Sequence, residues 1–302
     1  MDVQYFIELF FSGLTRGSIY ALIALGYTLV YGIIELINFA HGEIYMLGAF
    51  TALLVAGVLG IMGFPAGGIL VVAALAAIIW SAAYGFTLEK VAYKPLRGAP
   101  RLSPLISAIG MSIFLQNYVL LAQTSEYLPF PRLLPDMEFL DYIDNIMGPS
   151  DFLILVCSML AMVALTIFIR YTKMGKAMRA TAQNRKMALL LGINADRIIS
   201  LTFIVGSSLA ALGGVLIASH MGQVNFSIGF LAGLKAFTAA VLGGIGSIPG
   251  AVVGGLVLGI AESFTTGYLS GNYEDALAFA LLIFILIFRP DGILGKAKVQ
   301  KV

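Results

Sequence analysis

Nine apolar stretches, at roughly 9–34, 44–62, 67–88, 103–122, 152–170, 198–220, 229–248, 249–267 and 274–289, leave this chain few places to fold except a lipid bilayer. An apolar run of about 18 or more residues reads as a transmembrane helix. A chain that is 60% hydrophobic and 11% charged has too little polar surface to clothe a water-soluble core. Length alone would suggest two soluble domains. Hydropathy overrides that prior. The expected fold is all-α: one polytopic membrane domain over residues 1–302, with eight or nine hydrophobic helical segments, some of them broken or re-entrant. The first residues, Met1 to Glu8, lack the basic stretch of a signal peptide, so no cleavage is expected. Cys157 is the single cysteine and lies in an apolar run, which excludes an internal disulfide and a cysteine metal cluster.

Charge orients the spans. Of 18 Lys and Arg, 15 fall in three clusters, Lys90 to Arg101, Arg170 to Arg197 and Arg289 to Lys301. The positive-inside bias assigns all three, and hence the C-terminus, to the cytoplasm. The loop 124–151 carries Glu126, Asp136, Glu138, Asp141, Asp144 and Asp151 against Arg132 alone, and is expected outside. The stretch from Glu35 to Glu43 has no Lys or Arg and reads as either a crossing hairpin or a broken element.

The basic segment 171–197 is longer than an ordinary helix connection, which spans about 2–8 residues in bundles. Ala177, Ala180, Thr181, Asn184, Ala188 and Leu191 recur at helical spacing and form a face of small side chains. Lys176, Arg179, Gln183 and Lys186 lie on the opposite face, and Gly192 supplies a C-terminal stop. Such a helix suits docking to another protein. A basic helix lying on anionic lipid is the alternative.

Between the first two apolar segments, Asn38, His41 and Glu43 make a polar knot where the chain should be crossing or turning in lipid. Ionisable groups there are costly and usually face a cavity or partner, so a broken helix lining a solute path is one reading. A short hairpin in water is the other. Gly243, Gly244, Gly246, Gly250, Gly254, Gly255 and Gly259 surround Pro249, with three of them at four-residue spacing. These favour close helix packing over substrate contact. Lys235 and Glu262 lie at similar depth in neighbouring segments and are expected to touch, or else to snorkel separately. Arg16 stands in an apolar run without an evident partner. His41 and His220 have no ligand-spaced neighbours, so no metal site or cofactor is expected, and no catalytic or nucleotide-binding motif occurs. Basic residues fit topology rather than nucleic acid.

The chain resembles the LivH-type permeases of bacterial branched-chain amino-acid ABC importers. The resemblance rests on Gly17-Ser18-Ile19-Tyr20-Ala21-Leu22, Ile37-Asn38-Phe39-Ala40-His41-Gly42-Glu43, Ser107-Ala108-Ile109-Gly110-Met111-Ser112, Leu191-Gly192-Ile193-Asn194, Lys235 to Gly250, and Gly292-Ile293-Leu294-Gly295. It covers nearly the whole chain. It implies a non-enzymatic subunit of the bacterial inner membrane that works with two cytosolic ATPases, a second related permease and a periplasmic binding protein. The cargo it implies is leucine, isoleucine and valine, with urea or short-chain amides carried by related permeases. A stand-alone channel or secondary transporter is the rival from another class. In this picture Lys176, Arg179, Ala180, Thr181, Asn184, Ala188 and Gly192 form the coupling segment to an ATPase, with Ala180, Asn184 and Ala188 facing it. Tyr20, Asn38, His41, Glu43, Gly243 and Gly244 border the substrate path.

Overall fold

The computed structural model describes residues 3–100, 102–131, 133 and 147–295. Most of the acidic loop (Asp136, Glu138, Asp141 and Asp144), together with Arg132 and the tail lysines, lies outside the described residues. Eleven α-helices follow in chain order among the described residues: α1 (Val3–Ile34), α2 (His41–Ile61), α3 (Ala66–Leu88), α4 (Leu102–Ala122), α5 (Pro149–Tyr171), α6 (Lys173–Gln183), α7 (Arg185–Leu190), α8 (Ala195–Met221), α9 (Ile228–Gly243), α10 (Ile248–Tyr268) and α11 (Glu274–Phe288). Two short strands, β1 (Leu128–Pro129) and β2 (Gln223–Val224), pair antiparallel. Helix is what apolar sequence must form in lipid, because no water is present to satisfy a free backbone amide. Among the described residues, eight helices, or helix-plus-turn units, are long and apolar enough to cross a membrane, and α9, with 16 residues, is shorter.

The helices sort by burial. α1 and α8 form the centre, with the first half of α2 and one face of α10 packed on them, whereas α3, α4, α5 and α11 expose broad apolar faces. α1 and α10 pack backbone to backbone, since Gly13 and Gly17 touch Gly255 and Gly259. Small residues let helices approach where lipid offers no hydrophobic drive to push them together.

Two breaks set the interior. The chain leaves α1, passes Glu35 at φ 56° and re-enters the protein over residues 35–40, so that α2 starts already buried at His41, Gly42 and Glu43. It leaves α8 at Gly222, turns inward through β2 and begins α9 with its glycines against α2. A Cβ on Gly42 would collide with the Gly229 carbonyl and the Gly233 backbone, so glycine alone permits this crossing.

Two expectations change. The segment 229–248 ends as helix at Gly243. Gly244 (φ 106°) and Gly246 (φ 92°) turn the chain before Pro249 opens α10, so Gly246 does not share a helical face with Gly250 and Gly254. The basic segment is likewise not one helix. Asn184 breaks it with extended backbone and caps α7, its Oδ1 accepting from the Met187 amide at 3.0 Å. Asn and Asp favour such caps because their side chains replace the missing helical acceptor. The break rotates the two halves, and Thr181 and Ala188 turn into the protein. Gly192 (φ 79°) ends α7 as expected, and Asn194 caps α8.

Candidate functional site

The polar knot of the sequence becomes a buried junction. His41, Glu43 and Asn38 are each at most 2% exposed. Asn38 is held by the Tyr93 hydroxyl, which donates to its Oδ1 at 3.0 Å, and anchors the re-entrant segment to the end of α3. The His41 ring meets Tyr27 edge-on with centroids 4.8 Å apart and leans on Gly26 of α1 and Gly206 of α8. Ser112 of α4 donates to Glu43 Oε1 at 3.1 Å, whereas among the described residues Glu43 Oε2 has no hydrogen-bond partner. Beside Ser112 and Gly233 opens a cavity of about 330 Å³, walled by Tyr27, Phe39, Ile109, Ile113, Phe230 and Leu234, with Gln116 as a further polar group. Apolar walls with a few convergent polar groups are the usual make-up of a small-molecule site. Sequence reading missed Tyr27, Ser112 and Gln116, although Ser112 closes one of the quoted motifs.

The remaining path residues lie elsewhere. Tyr20 donates to Glu262 Oε2 at 2.8 Å, in a separate cluster. Gly243 and Gly244 pack the closing segment: Leu294 donates to the Gly243 carbonyl at 2.9 Å, and a Cβ on Gly244 would strike Gly295. Their surroundings are packing contacts.

Lys235 stands 3.3 Å from Glu262, and also 2.8 Å from both Glu274 and Asp275 at the start of α11. Arg16 reaches Glu274 at 3.4 Å and thereby acquires the partner that the sequence did not reveal. Depth along two helices pointed to Lys235 and Glu262 as neighbours; the other three join only through tertiary packing.

At the opposite, basic end, Glu89 is fully buried. Arg97 pairs with it while binding Asp196 at 2.5 Å, and Ser200 donates to it at 2.7 Å. Arg185 of α7 reaches the same Asp196 at 3.2 Å. This network ties α7 to the ends of α3 and α8. Two of its links, Arg97 to Asp196 and Ser200 to Glu89, join residues 99 and 111 apart, so the network as a whole was not legible in the sequence. The coupling segment exposes Lys176, Arg179 and Asn184, and outside them Met187, Leu189, Leu190 and Leu191, the last two at 82% and 76% exposure. Ala180 is half-buried.

Helix breaks at the centre of an all-α membrane bundle, around a buried polar junction, are the arrangement found at the solute sites of membrane transporters. The chain belongs to the branched-chain amino acid transport system permease component family, whose model matches residues 9–286. It is 53% identical over 302 residues to the high-affinity branched-chain amino acid transport system permease protein LivH of Escherichia coli K12, covering 99% of this chain and 98% of that protein. To the permease BraD of Pseudomonas aeruginosa it is 52% identical, covering 100% and 99%. The fold resembles that of a metal-chelate type ABC transporter solved in an inward-facing conformation, with TM-score 0.52 at 16% identity, over 92% of this chain and 86% of that one.

Proposed function

We propose that this chain forms half of the path through which an ATP-driven importer of the bacterial inner membrane carries leucine, isoleucine and valine into the cytoplasm. End-to-end identity of 53% to a branched-chain amino acid permease carries the reading. An apolar cavity beside Glu43 and Ser112 agrees with a cargo that is a branched hydrocarbon on a charged backbone. The chain has no nucleotide-binding motif, so two separate cytosolic ATPases supply the energy, a second, related permease completes the path, and a periplasmic binding protein delivers the cargo. The ends rich in Lys and Arg, with the C-terminus, face the cytoplasm. Co-purification from cells expressing all subunits, followed by ATP-dependent uptake into proteoliposomes with the binding protein exchanged, tests partners, energy source and cargo together. Uptake by this chain alone on an ion gradient would sink the reading.

The ATPase contact is drawn differently from the expectation based on small residues. Ala188 and Thr181 are buried in this chain's own packing, whereas Met187, Leu189, Leu190 and Leu191 are exposed apolar side chains, with Lys176 and Arg179 exposed on α6. The ATPase covers this α7 surface, and α7 passes its motion through Arg185 and Asp196 to α3 and α8. Leu190→Asp together with Leu191→Asp is expected to weaken ATPase binding at least about tenfold, the scale of one or two lost apolar anchors. Thermal stability of the permease should stay unchanged. Equal affinity in a pull-down titration, or crosslinks from Leu190→Cys to lipid only, would refute the contact.

A further inference from the structure

We propose that Glu43 is the residue that receives the α-ammonium group of the transported amino acid, an inference that rests on the branched-chain amino acid reading above. Three observations converge on it. Glu43 is 1% exposed, and among the described residues no lysine or arginine lies within ion-pairing distance of it. A carboxylate taken out of water without a cation is costly, and the cost falls when a cation arrives. One of its oxygens is already occupied by the Ser112 hydroxyl, while the other, Oε2, has no partner among the described residues and lies against Gly229 in the first turn of α9. Ser112 and Gly233 belong both to this junction and to the wall of the 330 Å³ cavity, so the cavity and the Glu43 carboxylate lie on either side of the same residues.

The cavity supplies the rest of an amino-acid site. Ile109, Ile113 and Phe230 offer an apolar wall for a branched side chain, and the Gln116 amide offers donors for the carboxylate. The contact needs a separation of α9 from the start of α2, where Gly42, Gly229 and Gly233 bring the two backbones together without side chains between them. It would therefore form and break as the bundle changes state, which suits a transient site: a cargo shifts the equilibrium only toward the state that binds it better.

The test uses the complete importer in proteoliposomes, with leucine-loaded binding protein, counting leucine imported and ATP hydrolysed in the same vesicles. Glu43→Gln is expected to lower the leucine imported per ATP at least about tenfold, as loss of a charge-assisted contact implies. Glu43→Asp should recover most of the ratio. A residue needed only for structure would depress import and hydrolysis in parallel, and such a parallel fall overturns the proposal, as does an unaltered ratio. If the Glu43→Gln complex fails to assemble, Ser112→Ala decides on the same ratio: a several-fold fall supports the site and no change rejects it. A wild-type complex that imports no branched-chain amino acid overturns the underlying reading, and the inference with it.

Discussion

Replacing Lys235 with methionine should cost this protein about 3–5 kcal/mol, the penalty for removing one partner from a buried ion pair. Three carboxylates converge on the Lys235 ammonium: Glu274 and Asp275 at 2.8 Å and Glu262 at 3.3 Å. The Glu262 side chain has no exposed surface and that of Lys235 only 9%. Without the lysine, Arg16 touches only Glu274, and Glu262 keeps a single donor, the Tyr20 hydroxyl. Glu274 and Asp275 retain some water, which argues for the lower end of the range. About 3 kcal/mol corresponds to roughly 6–12 °C in Tm for a chain somewhat smaller than this one. Thermal unfolding of the purified permease in detergent measures it. Lys235→Met combined with Glu262→Gln should regain at least half of the loss, because the stranded charge is then gone. A Lys235→Met protein that melts with the wild type would show that the cluster holds nothing together.

A second large effect is expected at the α1–α10 contact. Gly259 packs directly on the backbone of Gly17, and a Cβ there would also meet the Gly13 carbonyl. Backbone cannot move aside as a side chain can, so Gly259→Val must drive the helices apart. Overpacking of a tight core costs typically about 1–3 kcal/mol. The top of that range or beyond is expected here, since separating α1 from α10 loosens contacts along both helices. Gly57→Val is the control: nothing lies within 4 Å of a Cβ at Gly57. Monodispersity and Tm of the two variants give the comparison. If Gly259→Val behaves like Gly57→Val, backbone contact is not what joins these helices.

The spans were legible because a stretch that must sit in hydrocarbon announces itself by composition alone, without reference to its neighbours. The nine apolar stretches correspond to α1–α5 and α8–α11 with ends shifted by a few residues. Inward and outward faces were far less legible. In a helix apolar all round there is little polar face to orient it, so the stretch containing Ser112 gave no sign that this hydroxyl meets Glu43, 69 residues away. The same holds for Arg97, which reaches Asp196, 99 residues away, only because the ends of α3 and α8 converge. The coupling segment misled for a different reason. Helical spacing from Ala177 to Leu191 looked continuous, yet the Asn184 side chain competes for the backbone and starts a new helix.

Sequence by itself determined that this chain is an all-α membrane protein, roughly where it crosses, and which ends carry the positive charge. These follow from the transfer of apolar side chains into lipid and from the charge left at the boundaries, both local properties of the chain. Only tertiary structure decided that α2 and α9 begin inside the bundle and cross through Gly42, Gly229 and Gly233, and that Glu43 is buried there near a cavity with no lysine or arginine paired to it among the described residues. Those outcomes depend on which backbones come into contact, and in lipid that is settled by shape and hydrogen bonding between distant segments rather than by hydrophobicity within one.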